Sequence, residues 1–410
     1  MRRFNLLFII CFVLSLISLI AYSVRCFAEN KISTRYVLYD DKNGTSVRTH
    51  SVGGSFKLTP NTELSVGAVV DAITGASRKQ QANSSGNDNG GDDDNEGDDD
   101  NEGDDNDIDA ITGATPQPGP GGSNTSSIKN NTEYRKEGFL GLTHKIGETT
   151  GGVLVDYSKE NDYNSLSYNL SATQEFNNRN TALSFGYTNF NNRVVPVNMG
   201  WEDKSRSNIY DLSLTQVLTP KSQARVNISY GLDSGYLANP YHKVMIGTSS
   251  YTERHPGERD KLAFAAFYNY GIQREELLSS LQLDYRYYTD QWGIISNTYG
   301  IQYNHYLSKP CWVFLRYRYY NQNKAYFFKN FYDTEETFMS SDVKLAPFTS
   351  FLYGLGLNYS FIPTWILASP IDLEIAYERY NQKTDLDYTP YANKKDLASG
   401  VLYFSANYKF

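Results

Sequence analysis

Apolar and polar positions take turns along most of this chain. In residues 277–287 one face reads Leu277, Ser279, Leu281, Leu283, Tyr285 and Tyr287, and the other Leu278, Ser280, Gln282, Asp284 and Arg286. Val313, Leu315, Tyr317 and Tyr319 stand against Arg316 and Arg318, and Ile371, Leu373, Ile375 and Tyr377 against Asp372 and Glu374. Ala224, Val226, Ile228 and Tyr230 oppose Arg225, Asn227 and Ser229 in the same way. A period of two puts alternate side chains on opposite faces of an extended strand, so the pattern predicts an all-β chain. Seventeen segments carry it, centred near residues 36, 51, 66, 139, 154, 168, 184, 213, 227, 265, 283, 301, 316, 342, 355, 375 and 405.

Two folds suit such strands. In a soluble sandwich the apolar face is the core; in a transmembrane barrel it faces lipid and the charged face lines a wet lumen. After the first residues no apolar run is long enough for a membrane helix. The 34 tyrosines cluster at strand ends, as at Tyr287, Tyr288, Tyr319 and Tyr320, which suits interfacial girdles. Short turns at 219–222 and 307–310 alternate with long polar connections at 191–208 and 233–259. The last strand alternates through Leu402, Phe404, Ala406 and Tyr408 and stops on Phe410, which resembles the signal read by barrel-assembly machinery. Together these features predict a transmembrane antiparallel β-barrel, surrounded by lipid in the outer membrane of a Gram-negative bacterium. An even strand number is required to bring both chain ends to the periplasm. Sixteen is expected, and fourteen or eighteen also fit. The alternation of short turns and long loops breaks after Ala346, so the surplus segment lies in the last third. A barrel of that size encloses an aqueous channel unless something fills it.

Residues 1–28 read as a signal peptide: Arg2 and Arg3 precede the uncharged apolar run 6–24, and Cys26 and Ala28 set small residues for cleavage after Ala28. An uncleaved anchor is the alternative, and Arg25 argues against lipidation of Cys26. With the segment removed only Cys311 remains, which excludes disulfides, CxxCH haem sites and CxxC metal pairs. The net charge of −8 misleads. Thirteen Asp and Glu lie between Asp88 and Asp109; without them and the three signal arginines the balance is +2, and nothing marks a nucleic-acid footprint.

The barrel is expected over residues 29–410, interrupted by a loop at 72–131 that repeats DDDNEG twice and is rich in proline and glycine at 116–122. Its low apolar content and single-sign charge predict disorder. Asp, Asn and Glu oxygens there could bind Ca²⁺, although the twelve-residue EF-hand spacing is absent, and a solvated spacer is the simpler reading. Two heptapeptides bracket the acidic tract, DAITGAS at 71–77 and DAITGAT at 109–115. They resemble the Asp-x-x-[Ser/Thr]-[Gly/Ser]-Ala-[Thr/Ser] acceptor sequence of bacterial periplasmic flavin transferases, which join the phosphate of FMN to the last hydroxyl. In the second copy the resemblance assigns Asp109, Thr112, Gly113 and Ala114 to the motif and Thr115 as acceptor. The first copy supplies Asp71, Thr74, Gly75 and Ala76 but ends in Ser77. Small residues before the hydroxyl let it approach another enzyme closely. Ile-Thr-Gly-Ala is also acceptable turn chemistry where a strand meets a loop. A periplasmic transferase must reach the loop before insertion or through the lumen.

Further stretches (TQVLT at 215–219, SGYL at 234–237, NPY at 239–241, YRYYTDQWGI at 285–294, LRYRYY at 315–320) resemble a family of outer-membrane barrels catalogued as domain of unknown function 3570. The resemblance covers residues 32–410 apart from the acidic insert. It implies a barrel whose genomic neighbours are flavin transferases, small lipoproteins and thioredoxin-like proteins, and it supplies no catalytic residues. No Ser/His/Asp set or metal-ligand spacing emerges, and His50, His144, His242, His255 and His305 share no motif. The reading is an FMN-bearing barrel that exchanges electrons with envelope redox proteins or lipoproteins. A porin-like barrel passing a small solute or metal ion is the alternative, and an adhesive or structural barrel is a third without specific support.

Overall fold

The computed structural model describes residues 30–42, 45–74, 133–274, 277–363, 369–384 and 396–410. Its strands are β1 Lys31–Asp41, β2 Ser46–Thr59, β3 Thr62–Thr74, β4 Glu133–Ile146, β5 Thr149–Lys159, β6 Tyr163–Phe176, β7 Thr181–Val194, β8 Asp203–Thr219 and β9 Ser222–Gly235. There follow β10 Lys243–Ile246, β11 Ser249–Thr252, β12 Glu258–Arg274, β13 Leu277–Asp290, β14 Ile295–Ser308, β15 Cys311–Gln322, β16 Phe348–Phe361, β17 Ile371–Thr384 and β18 Leu397–Lys409. Sixteen close into one antiparallel barrel, and β10 and β11 form a separate ribbon. Strand β18 pairs with β1 from Lys31 opposite Lys409 to Asp41 opposite Ser399. Asn30 and Phe410 complete the seam, each amide donating to the other's carbonyl at 2.8 and 2.9 Å.

The two faces divide as the alternation requires. Leu140, Val155, Leu212, Ile228, Ile301, Leu315, Leu355 and Ile375 point outward and are exposed. Outward tyrosines pair across strands toward the end where β15 finishes: Tyr299 lies 5.0 Å from Tyr285 and Tyr317 lies 5.2 Å from Tyr353, between ring centroids. Toward the other end Tyr359 stacks on Phe361 and Tyr408 on Phe410. An apolar band between two aromatic belts is what a bilayer selects. Turns as short as 60–61, 147–148 and 220–221 share the latter end with Asn30 and Phe410, which makes it periplasmic.

Segment 342 is the surplus one. Residues 343–345 form a 3-10 turn whose Leu345, with Ala346, is buried among outer connections, so apolar character there reflects loop packing rather than a strand. The rhythm of turn and loop breaks because the periplasmic connection 362–370 is unusually long for its side. Much of the polar stretch 191–208 is strand: β7 and β8 run beyond the apolar band, where Asn189 donates to Asn208 at 2.9 Å and Arg206 to Asn191 at 3.3 Å.

The inner wall is not uniformly wet. Val37, Tyr39, Phe314, Ala376, Val401 and Tyr403 form a buried apolar patch on it, beside the Arg316–Glu378 pair at 2.9 Å. Aromatic rings lie flat on this wall where glycine leaves room. A Cβ added at Gly67 would stand 2.4 Å from the Phe139 ring, and one at Gly356 would stand 2.1 Å from Phe314.

Two outer connections, 236–257 and 323–347, fold over the mouth and pack on the wall. Ala325, Phe327, Phe328, Leu345 and Ala346 meet Trp292 and Ile294 of the β13–β14 turn and Ile209, Ala263 and Tyr288 of the wall. Beneath them Arg259 donates through Nε to Asp290 at 2.9 Å, with Asp290 fully buried, and stacks on Trp292 at 4.3 Å. Lys261 pairs with Asp233, which also accepts from Ser207 Oγ at 2.6 Å. Burying these charges is tolerable because each has a partner.

Two outcomes follow for the refolded barrel in lipid vesicles, read from urea midpoints. Gly67→Val forces the Phe139 ring aside and lowers stability by roughly 1–3 kcal/mol; an unchanged midpoint would show that the ring moves freely. Arg259→Ala strands a buried carboxylate and costs about 3–5 kcal/mol, whereas Arg259→Ala with Asp290→Ala costs much less. Equal losses would refute the pairing.

Candidate functional site at the outer mouth

The cap is stitched before it is packed. Arg254 and Met339 exchange backbone hydrogen bonds at 2.8 Å in each direction, which joins the two long connections. The buried hydroxyl of Tyr332 accepts from the Ser340 amide at 2.8 Å and donates to the Phe327 carbonyl. The ribbon β10–β11 turns at Gly247, whose φ of +59° is left-handed backbone that glycine adopts freely. Val244, Tyr332 and Met339 fill the space between ribbon and connection.

This stitching gathers four chemistry-bearing side chains. Glu253, almost fully buried, accepts at Oε1 from the Asn239 amide at 3.0 Å and at Oε2 from Ser340 Oγ at 2.7 Å. His242 Nδ1 stands 3.6 Å from Glu253 Oε1 and 3.6 Å from Asp342 Oδ2. Asp342 is turned by its other oxygen, which accepts from the Lys344 amide at 3.0 Å. His255 Nε2 lies 3.3 Å from Glu253 Oε1, and its ring rests against Trp292 and Phe327. Burial opposes ionisation of Glu253, yet His242 and His255 outweigh it and hold the carboxyl well below the usual range. Burial likewise opposes protonation of His242, and Asp342 and Glu253 outweigh it, so its pKa is raised. The donor atoms of His242, Glu253 and Asp342 all lie within 4.8 Å of one another, a set able to hold a metal ion.

No residue spacing announced this group, because Asp342 comes from a distant connection. One signal was available. Glu253 and His255 are two apart on extended backbone, which aims both side chains to one side. The other histidines are ordinary: His50 packs on Tyr36 at 4.2 Å, His144 meets Thr62 Oγ1 at 2.9 Å, and His305 meets Ser279 Oγ at 2.8 Å.

Of the flavin-acceptor positions, Asp71 lies in β3 at the outer end of the lumen wall. It is buried, accepts from Thr49 Oγ1 at 2.6 Å and stands 3.7 Å from Arg135 Nε. Ala72, Ile73 and Thr74 finish the strand. Ser77, Asp109, Thr112, Gly113, Ala114 and Thr115 lie outside the described residues, as do the signal segment 1–28 and the acidic tract with its Ca²⁺ reading. The structure therefore brings the first copy's Asp71 into the wall.

Closure, an outward apolar band and aromatic belts make this an outer-membrane barrel of a Gram-negative bacterium, in contact with membrane lipid. Among solved structures, CdiB from Acinetobacter baumannii is similar in fold, with a TM-score of 0.51 and 9% identity over 94% of this chain and 60% of that one. The chain thus spans 60% of the length of CdiB. A bacterial polysaccharide outer membrane secretin matches with a TM-score of 0.48 and 8% identity over 93% and 98% of the two chains. The outer membrane protein opdK from Pseudomonas aeruginosa gives 0.41 and 8% over 94% and 99%. A search of curated proteins returns no match. A family model matches residues 18–211 and 198–410, and the chain accordingly belongs to the family described as protein of unknown function, DUF3570.

Proposed function

We propose that this barrel carries FMN covalently on the connection between β3 and β4, through the Thr115 hydroxyl, and takes part in electron transfer at the outer membrane. The observation that carries the reading is the DAITGAT sequence at 109–115, set far from both strands in the longest connection of the chain. The copies differ at the acceptor position, since the second ends in Thr115 and the first in Ser77. In the finished barrel Asp71 of the first copy is a buried wall residue engaged by Thr49 and Arg135. The second copy has chain to spare on either side.

In the attachment, Thr115 Oγ forms a bond to phosphorus of a flavin dinucleotide, the pyrophosphate bond breaks, and the adenosine monophosphate leaves. The hydroxyl proton passes to a base of the transferase. The transferase works in the periplasm and β3 and β4 deliver the connection to the outer side, so modification precedes barrel assembly. Bound flavin supplies reversible redox chemistry; the barrel supplies location.

The alternative is passage of a small solute or metal ion, with the heptapeptides serving as turns. Polar lumen residues such as Gln302 and Arg316 favour it, and the packed cap opposes it. Intact mass of the purified protein separates the two. One FMN-sized increment, with flavin absorbance surviving denaturation, is expected; Thr115→Ala removes both and Ser77→Ala keeps both. An unmodified mass from cells that hold an active flavin transferase would sink the flavin reading. Ion conductance of that unmodified protein in a planar bilayer would then favour the channel.

A further inference from the structure

We infer that the outer cap binds a divalent transition-metal ion between its two long connections, with His242, Glu253 and Asp342 as its core ligands and His255, beside Glu253, completing the set. This site is distinct from the flavin reading and stands whether or not Thr115 is modified.

Spacing is the first ground. The ligands of a tetrahedral ion, each about 2.0–2.1 Å from the metal, stand about 3.3–3.4 Å apart. His242 Nδ1 is 3.6 Å from both Glu253 Oε1 and Asp342 Oδ2, and His255 Nε2 is 3.3 Å from Glu253 Oε1. Separations of 3.6 Å are too long for direct hydrogen bonds, and a small inward movement makes them the edges of a coordination shell.

His255 is the second and independent ground. Its Nδ1 lies 2.9 Å from the Leu237 carbonyl, which can only accept, so Nδ1 carries a proton. That side chain is only 5% exposed, and its Nε2, 3.3 Å from Glu253 Oε1, makes no hydrogen bond. An ion held at Glu253 would give this buried nitrogen a partner. An imidazole anchored through its far nitrogen to a carbonyl is also how proteins fix metal-bound histidines.

The supporting groups fit the same purpose. The Asn239 amide and Ser340 Oγ hold the Glu253 carboxylate from both oxygens, and the Lys344 amide turns Asp342 toward His242. Two imidazoles with two carboxylates select ions such as Zn²⁺ over Ca²⁺ or Mg²⁺. The ligands come from 236–257 on one side and 323–347 on the other, so the ion cross-links the cap over the mouth.

The test uses the full chain purified in detergent, stripped with chelator, dialysed and titrated with Zn²⁺, with Co²⁺ as a spectroscopic probe. We expect one tight site per chain, visible Co²⁺ bands, and no displacement by a large excess of Ca²⁺. Asp342→Asn should weaken binding by about 10–100-fold and His255→Gln by a similar factor; His242→Gln should abolish the Co²⁺ bands. Heat-modifiable migration on gels verifies that each variant keeps its barrel. If His242→Gln fails to fold, Asp342→Asn carries the comparison, since that carboxylate sits at the edge of the cluster. Equal Zn²⁺ affinity in wild type and Asp342→Asn would overturn the assignment and point to the acidic tract. No tight site in the wild type would overturn it too, leaving an imidazolium–carboxylate cluster in its place.

Discussion

Inside hydrocarbon a backbone amide or carbonyl has no water to turn to, and each one left unmatched costs several kcal/mol. Every strand that crosses the bilayer must therefore have two neighbours, which only closure provides. The seam between β1 and β18 meets that condition down to the mutual hydrogen bonds of Asn30 and Phe410. Once closure is imposed, the rest of the wall follows. Alternate side chains have only lipid or lumen to face, so Leu355 and Leu357 go out while Gly356 goes in beneath Phe314. Tyrosines collect where lipid gives way to water, because one ring serves both media.

Closure with sixteen strands creates a second problem, a lumen too wide for the wall's own side chains to fill. Here the outer connections answer it. Residues 323–347 lay Ala325, Phe327 and Phe328 against Ile209, Ala263 and Tyr288, so the mouth has an apolar core of its own. That core needs a polar frame, and Arg259–Asp290 and Lys261–Asp233 provide it as matched pairs. A cap built this way gives the cluster around Glu253 a fixed geometry, which loose loops would not.

The wall was legible because lipid and lumen impose a period of two that survives in any window of the sequence. Leu373, Ile375 and Tyr377 against Glu374 need no tertiary information. The cap was not legible for the opposite reason. Its apolar residues obey no period, so Leu345 and Ala346 counterfeited a strand near residue 342, and the ribbon β10–β11 went unread. The histidines fared the same way. Glu253 and His255 are sequence neighbours, but Asp342 reaches them only through the Arg254–Met339 bridge, a pairing that no local pattern encodes.

On the proposed reading the repeated heptapeptide divides its labour by position. In the first copy Asp71 is a wall residue, committed to Thr49 and Arg135 on the neighbouring strands β2 and β4. Ser77 follows it by six positions. The second copy lies well along the connection in sequence and keeps the same small residues ahead of its hydroxyl. On the proposed reading the two copies meet different demands: a carboxylate set into the barrel wall, and an acceptor hydroxyl. The replacement of Ser by Thr at the end of the distal copy then falls at the acceptor itself.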